Sequence, residues 1–147
     1  MTASRILLDT NVLSELMRPQ PDAQVLHWFA AQGAQARFVV SVITQAEILL
    51  GISLLPAGKR RSALASAATQ LFDREFHGQN LAFDDRAAPA YAAIMAACSR
   101  TGRSMSVEDG QIAAIATVHQ LPLATRHVND FESVAGLVLV DPWEGAA

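Results

Sequence analysis

Four acidic residues stand where apolar runs give way to helix-like patterns. Asp9 directly follows Ile6–Leu8. Glu47 lies one turn into the helical pattern after "RFVVSVIT". Asp109 sits near the start of the helical pattern Val107–His119, and Asp130 lies just beyond "LPLAT". Each acid has an ordinary reading. Asp9 can cap a helix beginning at Asn11, while "TQAE" (Thr44 to Glu47) and "SVED" (Ser106 to Asp109) both fit a capping box. Asp130, in "VNDF", can be a plain loop acid. Gathered at one place, however, four carboxylates repel and raise one another's pKa, a cost that a divalent cation removes. The donors are all oxygen, which suits Mg²⁺ or Mn²⁺. The four histidines, His27, His77, His119 and His127, lack the paired spacing of a zinc site.

Whether the acids meet depends on the elements that carry them. Arg5–Leu8 reads as a short buried strand. Val12, Leu13, Leu16 and Met17 follow at helical spacing, and Pro19 and Pro21 end that helix. Asp22 can cap a second helix, which Gly33 ends. "RFVVSVIT", rich in β-branched residues, reads as a second buried strand. Helical patterns run over Thr44 to Leu55, Lys59 to Phe76, Asp85 to Thr101 and Val107 to His119. "NLAF", "LPLAT" and "LVLVDP" supply three further strands. Short apolar strands alternating with longer helices predict a mainly parallel sheet of about five strands, covered on both faces. Such sheets bind ligands beyond the carboxyl ends of their strands. That rim is where all four acids are expected. Glu108 adjoins Asp109, but neighbours on a helix point about 100° apart, so one of the two should face the rim.

At 147 residues the chain is read as one domain, 1–147. Its 51% hydrophobic content exceeds what a core alone requires, which points to an interface with another chain. No run approaches the ~20 apolar residues of a membrane span, and no secretion signal opens the chain. The single cysteine, Cys98, fits a reducing cytoplasm. A net charge of -3 argues against a protein that coats nucleic acid, though not against an enzyme that meets it locally. Ten arginines against one lysine suit phosphate recognition, but a GC-rich genome gives the same bias. Arg126 and the pair Arg100/Arg103 are the candidates for gripping a phosphate. Lys59–Arg61 reads as a solvated patch, and Trp28 and Trp143 as packing residues.

The blocks "ILLDTNVLSEL", "VITQAEILLGI", "VEDGQIAAIA", "LATRHVNDF" and "VLVDPWE" together resemble the PIN-domain ribonucleases, above all their VapC/FitB-like branch of bacterial toxins. The resemblance spans almost the whole chain in the family's order. It implies a PIN-like α/β/α sandwich and Mg²⁺- or Mn²⁺-dependent hydrolysis of RNA phosphodiester bonds by metal-activated water. It also implies a homodimer and a cognate antitoxin protein. The family's acids fall on Asp9, Glu47 and Asp109 as metal ligands, with Asp130 the nearest match to a fourth catalytic acid. Thr10 and Asn11 fall on the family's polar pair after the first acid and, with Thr125, can support those ligands; Arg126, as a cation near the rim, and His127 can touch substrate. His127 departs from the family pattern, which often has Asn or Asp directly after "TR".

Two other functions compete. A haloacid-dehalogenase-type phosphatase would use Asp9 as a nucleophile, but it wants a second acid where Asn11 stands and a later lysine, and the only lysine is Lys59. A non-catalytic PIN-like binding module would show a broken acid set, of which position 127 is the one hint.

Overall fold

The computed structural model describes residues 4–144. Five strands, β1 (Ser4–Leu8), β2 (Ala36–Ser41), β3 (Asn80–Leu81), β4 (Leu123–Ala124) and β5 (Leu139–Val140), form one sheet in the order β3-β2-β1-β4-β5. Every pairing is parallel. Side chains alternate across the sheet, as a two-residue period requires. Ile6, Leu8, Val40 and Ala124 face α1 (Thr10–Leu16), α2 (Ala23–Ala31), α3 (Val42–Ser53) and α4 (Lys59–Gln70). Leu7, Val39 and Leu123 face α5 (Ala87–Arg100), α6 (Val107–His119) and α7 (Val128–Phe131). The result is the α/β/α sandwich expected from the sequence. No helix of the described residues is long and apolar enough to cross a membrane.

Several boundaries differ from the sequence reading. The second strand stops at Ser41, not at Thr44, and α3 starts at Val42. Ser41 is the cap: its hydroxyl accepts the Thr44 N–H at 3.2 Å. Val42, Ile43 and Thr44 are β-branched and score as strand, yet a good cap overrides that modest preference. Thr44 therefore lies inside the helix, and "TQAE" is not a capping box. "NLAF" shortens to Asn80–Leu81, and the long Lys59–Phe76 helix closes as a π-helical turn over Leu71–Glu75. Asp130 lies within the short helix α7, not in a loop.

Two local contacts fix the helices that approach the rim. The buried Glu15 carboxylate accepts the Asp22 N–H at 2.9 Å and an Arg18 N–H at 3.0 Å, tying the end of α1 to the cap of α2. Gly110 lets α5 pack directly on α6. A Cβ at that position would lie 2.5 Å from Met95 Sδ and 2.9 Å from Tyr91 Cε2, so a side chain there would force these two α5 side chains to move.

Candidate active site

The strand order reverses at β1 and β4, and this is where an open parallel sheet leaves a crevice. Leu8 is level with Ala124, so the next residue of each strand, Asp9 and Thr125, meet at the crevice. The Asp9 N–H donates to the Ala124 carbonyl at 2.9 Å. The Asp9 carboxylate is nearly enclosed at 4% exposure. Its Oδ1 accepts the Thr10 N–H at 2.8 Å; its Oδ2 accepts the Thr125 hydroxyl at 2.7 Å and the Asn11 amide at 3.1 Å. The helix-cap reading and the site reading of Asp9 therefore hold together. Asn11 reaches on across the crevice, accepting the Arg126 N–H at 3.0 Å. The His127 N–H donates to Thr125 Oγ1 at 3.0 Å, and the imidazole Nδ1 lies 3.5 Å from the Asn11 amide nitrogen. Asn11 thus stands where a phosphatase would need its second acid, and its amide is committed to Asp9.

Glu47 projects from α3 toward the same rim. Thr10 Oγ1 donates to Glu47 Oε1 at 2.7 Å and lies 2.9 Å from Thr44 Oγ1, which is 3.5 Å from Ser41 Oγ. An ionised carboxylate only accepts, so the proton order is fixed: Ser41 to Thr44 to Thr10 to Glu47. This hydroxyl chain aims Glu47, and its two members farthest from the carboxylate, Ser41 and Thr44, were not among the candidate site residues. A clue lay in "SVIT", which places two small hydroxyls within two turns of Glu47.

Asp109 enters from α6, with Ser106 as cap; the Ser106 hydroxyl accepts the Asp109 N–H at 3.1 Å. This is the first half of the capping box expected there. Asp109 is half-buried while Glu108 faces solvent, which decides between the neighbours. Burial, then the negative charges of Asp9, Asp130 and Glu47, push the Asp109 carboxyl up to about 6. The other three acids therefore all act on Asp109. Burial also raises the Asp9 carboxyl, against its hydrogen bonds and the nearby His127. Asp130 and His127 are exposed at the mouth.

Among the described residues the one ion pair joins Arg18 to Glu15, and no cation pairs with the four acids. Nor do any three His, Cys, Asp or Glu side chains form a ready-made group able to hold a metal ion. Asp9, Glu47 and Asp109 converge without closing into one cage, since Glu47 is drawn to Thr10. The chemistry of the set still fits a hard divalent cation. Mg²⁺ keeps several waters and takes only one or two carboxylates directly, so it has no need of an all-protein cage.

Unbalanced acids give a pH signature. Between about pH 4 and pH 6 the folded chain holds a proton on Asp109 that the unfolded chain releases. The metal-free protein should lose stability as pH rises through that window and level off above it. His119, whose pKa is lowered chiefly by burial, acts in the opposite sense. Thermal unfolding of wild type and Asp109→Asn in EDTA isolates the effect: the wild type should lose melting temperature relative to the variant as pH rises from 4 to 7. A constant difference would contradict the cluster.

Arg126, exposed at the end of β4, was expected near substrate. Its guanidinium lies over the Trp143 ring, 4.9 Å from the centroid. Trp143 does pack against the core, as read from the sequence, but it carries this second contact as well.

Comparison with known proteins agrees with this geometry. Residues 6–137 match the family described as PIN domain. The chain is 40% identical over 141 residues to the VapC ribonuclease Y4jK of Sinorhizobium fredii, covering 96% of this chain and 99% of that protein. It is 38% identical over 138 residues to the toxin FitB of Neisseria gonorrhoeae, covering 94% and 98%. Among solved structures, FitAB bound to an IR36 DNA fragment superposes with a TM-score of 0.87 at 36% identity, over 97% of this chain and 98% of that one. With the family match running from β1 to the approach to β5, and such relatives covering nearly the whole length, the chain belongs to the PIN-domain family, on its VapC/FitB branch.

Proposed function

We propose that this protein is a metal-dependent endoribonuclease and the toxin of a bacterial toxin–antitoxin pair, working as one domain in the cytoplasm. The observation that carries this reading is the set of acids at the sheet's switch point, where Asp9, Asp130 and Glu47 all act on Asp109 and, among the described residues, no salt bridge reaches any of the four. A binding module has no use for so costly an arrangement.

Asp9, Glu47 and Asp109 would hold Mg²⁺ or Mn²⁺, with Asp130 at the outer edge. When bound, the cation supplies Lewis acidity at the phosphodiester and makes water a stronger nucleophile. The chain's own groups orient these acids. Thr125 and Asn11 fix one oxygen of Asp9 and Thr10 N–H the other, while Thr10 Oγ1 fixes Glu47. Supporting contacts of this kind set ligand direction and are costly to lose. No side chain here is needed as a covalent nucleophile. Hydrolysis in line with the leaving 3′ oxygen leaves 5′-phosphate and 3′-hydroxyl ends.

Incubating the purified protein with total RNA tests the reading. Cleavage should require Mg²⁺ or Mn²⁺, stop in EDTA and yield those ends on mapping. RNA left intact with either ion would mark a binding module instead.

A cleft of about 590 Å³ between α1, α3 and α4 favours the antitoxin part of the reading. It runs from apolar Ile48, Ile52 and Leu64 to Thr10 and Glu47. An amphipathic antitoxin helix would fill it and send a basic side chain toward the acids. The relatives FitAB and VapBC are solved as complexes. The chain is further assigned as a homodimer, with the Ala-rich α5 in the seam because α4 walls the cleft.

A further inference from the structure

Arg126 follows Thr125, whose hydroxyl binds Asp9, yet among the described residues it forms no ion pair with any of the four acids. The simplest electrostatic outcome would fold its guanidinium onto Asp9 or Asp130 and neutralise the site. Instead its backbone N–H is held by Asn11, in the network around Asp9, while its side chain turns away onto Trp143. Trp143 is itself fixed: its N–H donates to Asp141 Oδ1 at 2.9 Å, and its ring packs on the core cluster containing Leu8 and Ala124. Among the described residues the guanidinium has no carboxylate partner, and none of its N–H groups finds an acceptor. The guanidinium carbon lies over the indole ring and Arg126 is exposed, so its N–H groups remain open to solvent. Those groups form the fork of donors that matches phosphate oxygens.

We propose that Arg126 and Trp143 form a phosphate clamp, in which the guanidinium grips an RNA backbone phosphate next to the scissile bond and Trp143 is a positioning residue that keeps it off the acids. The proposal rests on the nuclease reading above for its substrate. The stacking contact holds the cation at a fixed distance from the acids, so that both charges serve at once: the acids toward the metal, the arginine toward the nucleic acid.

The test is the affinity of an end-labelled, single-stranded RNA for the full chain, followed by fluorescence anisotropy over a range of salt concentrations. Ca²⁺ replaces Mg²⁺ to balance the acids, and a gel confirms that the RNA stays intact. Arg126→Ala should weaken binding about tenfold and lower the salt slope by about one. Trp143→Leu, which keeps apolar bulk but removes the ring, should weaken binding severalfold, and Trp143→Phe should restore most of it. In the Arg126→Ala background Trp143→Leu should add no further loss. Wild-type affinity in Arg126→Ala, or losses that multiply in the double variant, would overturn the clamp. A wild type that cleaves RNA with Mn²⁺ but shows no Arg126-dependent affinity sinks the clamp alone. One that binds through Arg126 and never cleaves sinks the nuclease reading alone.

Discussion

Asp9→Asn is expected to lose RNA cleavage by on the order of 10³-fold, ~4 kcal/mol of transition-state stabilisation, while the protein still folds. Asparagine has the shape of aspartate and keeps an acceptor for the Thr10 N–H, but it carries no charge for a cation. The fold should tolerate the change. The native carboxylate is buried, and desolvation raises its pKa, so at neutral pH its charge opposes folding in the absence of metal. Removing that charge offsets the weakened bonds to Thr125 and Asn11, each of which contributes ~1 kcal/mol. Stability in EDTA should therefore remain within about 1 kcal/mol of wild type. Single-turnover cleavage and urea unfolding on the same preparation separate the two effects. A variant that cuts at the wild-type rate would remove Asp9 from the chemistry.

Phe131→Ala should cost ~3–5 kcal/mol, a large share of the ~5–15 kcal/mol that holds a typical domain together. Phe131 is fully buried in the cluster with Leu7, Ile112 and Leu123. It belongs to α7, which has four residues and cannot hold itself as a helix. Its ring is the anchor that places Asp130 and His127, one residue before and four before it, at the mouth of the site. The urea midpoint should fall with an unchanged slope, and residual cleavage should drop at temperatures where the variant is still folded. Phe131→Leu, which keeps much of the volume, should lose less of both. Unchanged stability in Phe131→Ala would mean that α7 is held by something other than this side chain.

The sheet was legible because its strands are apolar on both faces and the helices between them are amphipathic. The ends were not, because a cap outweighs a run of β-branched residues. Val42 and Ile43 read as strand until the Ser41 hydroxyl is seen to close the first turn of α3. Asp9 and Glu47 could be named because each lies close behind a strand, and Asp109 because it starts the helix that leads into β4; the topology takes all three positions to one rim. Thr10, Asn11 and Thr125 were legible as polar neighbours of the acids in the blocks that carry the resemblance, and each hydrogen-bonds to Asp9 or Glu47. The hydroxyls of Ser41 and Thr44 were missed because, although "SVIT" sets them side by side, nothing local marks the bond from Thr44 to Thr10, 34 positions away. Trp143 was read as packing only. Its pairing with Arg126 depends on β4 and β5 lying side by side, which fixes the two residues that follow them. His127 was flagged for departing from the family pattern, and the structure gives it a place beside Thr125 and Asn11.

The account depends most on the acids' need for a divalent cation. Titration calorimetry of Mn²⁺ into the wild type and Asp9→Asn at pH 7.5 measures that need without reference to any RNA. The wild type should bind with measurable heat, and Asp9→Asn should bind at least about tenfold more weakly, a loss of ~1.4 kcal/mol or more. A wild type that takes up no Mn²⁺, or a variant that binds as tightly, would contradict it.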